Sequence, residues 1–163
     1  MKSKFVCLFF LLFFFIPLNS IKINRVILSA NTNPTFMDFW PLVAKAWKEM
    51  GIQPTLALIE DQKNISIDKS LGDVMRFEPI EGVKPGVQAQ LIRLLLPTYF
   101  EDDVCLISDI DILPLSKDYF VTRVKQYPEN SFIVYRKTYT QANKGSQCAI
   151  MQQKEAYSKK FLT

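Results

Sequence analysis

Two carboxylates spaced one residue apart follow a short apolar segment in the middle of the chain. The segment Val104–Ser108 has the composition of a buried strand, and Asp109 and Asp111 come directly after it. In open α/β sheets, ligands bind just beyond the carboxyl ends of the strands. Hard oxygen donors at that place suit Mg²⁺ or Mn²⁺, the divalent ions that accompany phosphate groups. We therefore predict a metal site at Asp109 and Asp111. The alternative is a solvated turn or a helix cap, since aspartate is common in both.

The spacing of the two aspartates sets a condition on this prediction. Residues i and i+2 project to the same side of the chain only where the backbone is still extended. If the strand continues through Ile110, both carboxylates of Asp109 and Asp111 can reach one ion.

The segment before the strand has the pattern of a helix that carries one charge. Gln88–Pro97 predicts a buried helix that ends at proline, and an acidic turn joins it to the strand. Arg93 lies on this otherwise apolar helix and needs a charged partner or an exposed position. Two interpretations stay open. Either Arg93 pairs with Glu101 or Asp102, or its guanidinium reaches a nucleotide or the two carboxylates.

The order of these elements resembles a known family. A helix, an acidic turn, an apolar strand, the Asp-x-Asp pair and the apolar exit Ile112–Leu115 are similar to the nucleotide-sugar-dependent glycosyltransferases of the GT-A fold, in particular to the glycogenin and bacterial galactosyltransferase group. The resemblance extends over about residues 26–161 and is specific between Gln88 and Leu115. It implies transfer of a sugar from a nucleoside-diphosphate sugar, with uridine-diphosphate sugars favoured. The acceptor would be a saccharide, a protein or a lipid.

The resemblance also implies roles for single residues. In that group both aspartates touch a Mn²⁺ or Mg²⁺ ion and the first also contacts the ribose, so Asp109 is predicted to bind both metal and nucleotide. An arginine on the preceding helix helps to bind the nucleotide and matches Arg93 in position. A late strand lines the sugar and acceptor site and corresponds to Gly145–Met151. Beside it, Asn143 and Gln147 are candidates for hydrogen bonds to sugar hydroxyls, with a loop or strand-edge role as the alternative. No catalytic residue is assigned.

The nucleotide base and the diphosphate need further groups. Ser29, Ala30 and Asn31 follow the first apolar strand, where this fold receives the base, and an ordinary turn is the alternative. The chain has only five glycines and no Gly-rich phosphate loop. A diphosphate must therefore be held by a metal ion and by cationic side chains. Lys84, Gln88 and Gln90 are the residues that could join Arg93 there.

The composition excludes several other classes of function. The chain has no histidine, which rules out Ser-His-Asp and Cys-His catalysis and His-ligated zinc within it. Its net charge is +4, but the basic residues are scattered, so nucleic-acid binding is not expected. A phosphohydrolase of the haloacid dehalogenase type also uses Asp-x-Asp after a strand. That pattern has Thr or Val where this chain has Leu113. A nucleotide-sugar-binding protein without turnover is the remaining alternative.

The first twenty residues have the pattern of a targeting segment. Lys2 and Lys4 precede the apolar run Phe5–Ile16, which is short for a membrane span. We predict a signal peptide or an uncleaved membrane anchor, with membrane contact through residues 5–18 and a location in the secretory pathway or at a membrane. Residues 21–163 form the predicted nucleotide-sugar-binding domain. We expect it to be incomplete at the C-terminus, because the resembled enzymes continue for about a hundred residues and gain a further metal ligand there, often histidine.

Strands alternate with helices along the domain, which predicts an α/β fold. The sheet is expected to be mostly parallel and Rossmann-like, with helices on both faces. Strands are predicted at Arg25–Ser29, Thr55–Ile59, Asp73–Phe77, Val104–Ser108, Ser131–Tyr135 and Gln147–Met151. Helices are predicted at Asp38–Met50, Gln88–Pro97, Asp118–Tyr127 and Lys154–Phe161, and Asp38 is the predicted cap of the first. Trp40 and Trp47 are seven residues apart on one helix face, which indicates core packing.

Overall fold

One mixed sheet organises the part of the chain that the computed structural model describes, which is residues 21–60, 65–128 and 131–135 and the strand at 149–151. Its six strands are arranged in the order β3-β2-β1-β4-β6-β5. Their bounds are β1 Arg25–Asn31, β2 Gln53–Ile59, β3 Asp73–Phe77, β4 Cys105–Ile107, β5 Ile133–Val134 and β6 Ala149–Met151. Strands β1 to β4 are parallel, and β6 runs antiparallel to both β4 and β5. The predicted α/β fold with a mostly parallel sheet is confirmed at this level.

Helices connect the parallel strands. Two of them, α1 and α2, lie between β1 and β2, and α3 lies between β3 and β4. Short 3₁₀ turns precede β3 and follow α3, and a π turn continued by a 3₁₀ turn replaces the helix predicted at Asp118–Tyr127. The bounds of the three α-helices are α1 Pro34–Met37, α2 Trp40–Glu49 and α3 Pro85–Leu95.

Apolar side chains alternate between two cores on opposite faces of the sheet. Along β1, Val26 and Leu28 contribute to the core beneath α2, whereas Ile27 contributes to the core beneath α3. This alternation follows from the two-residue period of a strand. Trp40 and Trp47 of α2 are both buried, as predicted, because seven residues are about two helical turns. Helices therefore cover both faces of the sheet.

Two sequence predictions about helices are wrong. Asp38 does not cap the helix that contains the tryptophans. Instead, the Asn33 side chain accepts the backbone N–H of Thr35 at 3.0 Å and caps α1, which Asp38 follows. The helix α3 is not buried all round, since Leu91, Leu94 and Leu95 are exposed.

The buried stripe of α3 is narrower than its composition suggested. Gln88 and Ala89 are buried, and Ile92 and Leu96 pack on the core beneath this helix. Residues four apart share one helix face, and only that face meets the sheet. The other leucines project away from it. The α-helix nevertheless ends at Leu95, two residues before Pro97, and the chain continues as a 3₁₀ turn over Leu96–Tyr99, because Pro97 has no N–H to donate to the helix.

Several predictions fall on residues outside the described part. These are the targeting segment at residues 1–20, the first two residues of the predicted strand Gln147–Met151 and the helix Lys154–Phe161. Among the helices that are described, none has the length and apolar character needed to cross a membrane.

Candidate functional site

The carboxyl end of β1 forms the floor of a pocket at one edge of the sheet. β1 pairs with β2 on one side and with β4 on the other, so its end lies in the middle of this edge. Ser29 and Ala30 are nearly buried there, and Asn31 is the last residue of the strand. The crevice outside the carboxyl ends of parallel strands is where such sheets bind ligands.

The Asp-x-Asp pair reaches the same pocket through a turn. β4 ends at Ile107, and the backbone N–H of Ile112 donates to the carbonyl of Asp109 at 3.3 Å. The backbone is therefore not extended at Ile110, and the condition set by strand alternation is not met. The turn nevertheless brings Asp109 and Asp111 to one pocket. Ile110, between them, is buried at 4% exposure and anchors the turn in the core beneath α2.

Arg93 pairs with one of these carboxylates. Its Nη1 group donates to Oδ1 of Asp109, in a salt bridge between side chains that are only 17% and 19% exposed. The alternative pairing with Glu101 or Asp102, in the exposed turn before β4, is wrong, because the salt bridge of Arg93 is to Asp109. α3 packs across β1, and Arg93 on its third turn lines the pocket together with the end of that strand.

The pocket holds about 570 Å³ and collects most of the residues predicted from the sequence. They come from the end of β1, from α1, from the first three turns of α3 and from the turn after β4. The lining residues are Ser29, Ala30, Asn31, Phe36, Lys84, Gly86, Val87, Ala89, Gln90, Arg93, Asp109, Ile110 and Asp111. Apart from Gln88, all described residues that we predicted to bind nucleotide or metal are therefore neighbours in one cavity.

Gln88 has a different role from its two predicted companions. Lys84 and Gln90 line the pocket, whereas the Nε2 group of Gln88 donates to the carbonyl of Glu78 at 2.8 Å. Its Oε1 accepts the backbone N–H of Ile80 at 2.9 Å. Gln88 thus fixes the loop that leads into α3. Asn143 and Gln147 lie outside the described residues.

The charged groups of the pocket balance one another. Lys84 and Arg93 are cationic, and Asp109 and Asp111 are anionic. Within the described residues, no group of three or more His, Cys, Asp or Glu side chains could hold a metal ion. Mg²⁺ is usually bound through one or two carboxylates, with substrate phosphates and waters as the other ligands. Two aspartates are within the number of protein carboxylates that such an ion uses, but by themselves they do not form a site that protein ligands complete.

Apolar residues of this pocket were missed by the sequence analysis. Phe36 of α1 and Val87 of α3 line it while remaining largely exposed, at 39% and 46%. An exposed aromatic ring beside polar groups offers a flat ligand a stacking surface. The available signal was position alone, since Phe36 lies in the connection just after β1, and ligand sites favour such connections.

No protein-family model, no curated protein and no solved structure matches this chain. The fold and the pocket together define an α/β domain with a pocket at the carboxyl edge of its sheet that combines apolar walls with two carboxylates and two cationic side chains.

Proposed function

We propose that this chain is the nucleotide-sugar-binding domain of a GT-A-type glycosyltransferase that depends on Mn²⁺ or Mg²⁺. One observation carries the proposal. Asp109, Asp111 and Arg93, which resemble a glycosyltransferase motif in sequence, share one pocket with the end of the first strand. A parallel sheet places the ends of β1 and β4 side by side in any case, and the salt bridge and the shared pocket add Arg93 of α3 to them. The parallel order β3-β2-β1-β4, with β6 antiparallel, is compatible with that fold.

The pocket offers separate surroundings for the parts of a nucleotide sugar. Ser29–Asn31 and the ring of Phe36 provide backbone groups and a flat apolar surface for a base. Lys84 and Arg93 provide cationic donors for phosphate oxygens. Asp109 and Asp111 provide the carboxylates that a divalent ion would need.

Glycosyl transfer breaks the bond between the anomeric carbon and the diphosphate, so negative charge grows on the leaving phosphate. A bound divalent ion would supply electrostatic stabilisation of that charge. Lys84, at the N-cap of α3, and Arg93, on the same helix, contribute positive charge to the pocket. The acceptor would be a saccharide, a protein or a lipid. The apolar run near the N-terminus motivates a secretory or membrane-associated location.

Calorimetric titration with uridine diphosphate tests the proposal. We expect binding in Mn²⁺ and at least roughly tenfold weaker binding in chelator, the equivalent of one lost charge-assisted contact. Asp111→Asn should remove this metal dependence without changing the fold, because Asp111 is exposed and the described residues show no ion pair for it. Equal affinity in Mn²⁺ and in chelator would contradict the proposal.

Asp118→Asn is the matched control. Asp118 is also exposed, lies outside the pocket and pairs with Arg123 at 2.9 Å. This variant should bind uridine diphosphate as the wild type does. Release of uridine diphosphate from a uridine-diphosphate sugar, measured on the same preparation, then separates a transferase from a protein that binds without turnover.

A further inference from the structure

The salt bridge between Arg93 and Asp109 occupies a carboxylate that the proposed function reserves for a metal ion. We propose that Arg93 is an internal counter-ion of Asp109 that a divalent ion displaces, and that the released guanidinium turns to the diphosphate. This inference rests on the proposed function and adds to it a coupling between the two ligands.

The two aspartates differ in their surroundings. Asp109 is mostly buried and paired with Arg93, whereas Asp111 is exposed and has no ion pair among the described residues. A carboxylate held out of water needs a compensating charge. Arg93 supplies it while the pocket contains no other cation at Asp109.

A guanidinium and a divalent ion on one carboxylate repel each other. The repulsion is strong here, because few waters screen side chains that are less than a fifth exposed. Lysine or histidine could relieve it by losing a proton, but arginine keeps its charge in proteins. Movement of the Arg93 side chain is therefore the available response.

The structure provides a destination for that movement. Arg93 uses Nη1 on Asp109, and the described residues show no other hydrogen bond of its guanidinium. Its remaining donors form a planar fork that suits phosphate oxygens. A diphosphate in the same pocket would thus accept the group that the metal ion displaces, and each ligand would favour the binding of the other.

Removal of the Arg93 side chain should change the Mn²⁺ affinity in opposite directions under the two possible roles of this residue, a positioning group for Asp109 or a competitor of the ion. If Arg93 only orients Asp109 as a metal ligand, its loss weakens metal binding. If Arg93 competes with the ion, its loss strengthens the binding of metal alone and weakens the binding of diphosphate. The sign of the change in Mn²⁺ affinity therefore separates the two roles.

The experiment measures two affinities of the full chain. Binding of Mn²⁺ alone is followed by electron paramagnetic resonance of free Mn²⁺, and binding of uridine diphosphate in saturating Mn²⁺ is followed by calorimetry. We expect Arg93→Met to bind Mn²⁺ about five- to tenfold more tightly and uridine diphosphate about tenfold more weakly, near the effect of one charge-assisted hydrogen bond. Arg93→Lys, which keeps the charge, should stay close to the wild type for Mn²⁺ alone. Adding Asp109→Asn to Arg93→Met should abolish the gain in Mn²⁺ affinity.

Arg123→Met is the matched control, because Arg123 is exposed and its salt bridge to Asp118 lies outside the pocket. It should leave both affinities unchanged. Circular dichroism checks the fold of each variant, and Arg93→Gln provides the same test if Arg93→Met does not fold. Unchanged or weaker Mn²⁺ binding without Arg93, in a protein that still binds uridine diphosphate with Mn²⁺, would overturn the inference alone. A wild-type chain that binds neither ligand would overturn the proposed function as well.

Discussion

Gly72 shows how a single position can depend on space and not on backbone angle. Its φ of 170° is extended and open to any residue. A Cβ at Gly72, however, would lie 2.6 Å from the carbonyl oxygen of Pro54 and 3.1 Å from Cη2 of Trp40. One neighbour is strand backbone and the other is a buried ring, so neither can withdraw easily. Glycine is required here because β2 and α2 both lie too close to the Gly72 backbone for a side chain.

Gly72→Ala should therefore destabilise the protein. We expect the free energy of unfolding to fall by about 2 kcal/mol, in the range for overpacked cores. Gly86→Ala is the control, because a Cβ at Gly86 meets nothing within 4 Å. Its effect should be at most about 0.5 kcal/mol, measured in the same urea titration. Equal midpoints for the two variants would show that the region around Gly72 relaxes freely.

Arg25 joins four elements at the amino edge of the sheet, opposite the pocket. Its Nε donates to Asp103 and its Nη1 to the Thr55 hydroxyl, each at 2.7 Å, and Nη1 also pairs with Asp73. The guanidinium lies 4.0 Å from the ring centre of Phe100. Burial lowers the pKa of Arg25, but hydrogen bonds and charges from Asp103 and Asp73 outweigh it and raise the pKa overall. The group stays cationic and connects β1, β2, β3 and the turn before β4.

Removing the charge of Arg25 should destabilise the packing of β1, β2 and β3 against one another. We expect Arg25→Met to lower the free energy of unfolding by about 2 kcal/mol, since it takes a charged partner from Asp103 and a donor from Thr55. Arg123→Met removes an exposed salt bridge and should cost at most about 0.5 kcal/mol. Thermal unfolding followed by circular dichroism compares them. An Arg25 variant as stable as the Arg123 variant would mean that the contacts of Arg25 add nothing net.

Cys105 reports on the integrity of the whole sheet. It is fully buried in β4, between β1 and β6, and forms no disulfide within the described residues. Burial, followed by the charge of Asp103, raises the pKa of its thiol from 9.0 to about 12. The folded-state pKa lies above the unfolded one. The stability linked to this group is therefore complete below about pH 9 and is lost as pH rises toward 12.

The thiol of Cys105 should consequently resist alkylation while the sheet is closed. At pH 8 we expect iodoacetamide to leave Cys105 unmodified in the native protein and to modify it fully in concentrated guanidinium chloride. Peptide mass spectrometry reads this residue separately from the other two cysteines. Similar labelling rates in both conditions would mean that β4 opens without global unfolding.

Local pattern was sufficient to predict much of the framework. The strand β3 was predicted with its observed bounds, and the strands at Arg25 and Val104 within two residues of theirs. Apolar runs between turn residues decide these elements, and such runs are a property of neighbours in the chain. The same holds for the burial of Trp40 and Trp47, since helical period places them on one face.

Tertiary packing determines which charged residues pair and which face of each helix is buried. Arg93 pairs with Asp109, sixteen residues away, although acidic residues lie nearer along the chain. The sequence of α3 has apolar residues on more than one face, and packing against the sheet buries the face that contains Ala89 and Ile92. Phe36 enters the pocket only because α1 folds over the end of β1. Sequence period determines which side chains share a face, but contacts between distant segments depend on how complete elements pack against one another.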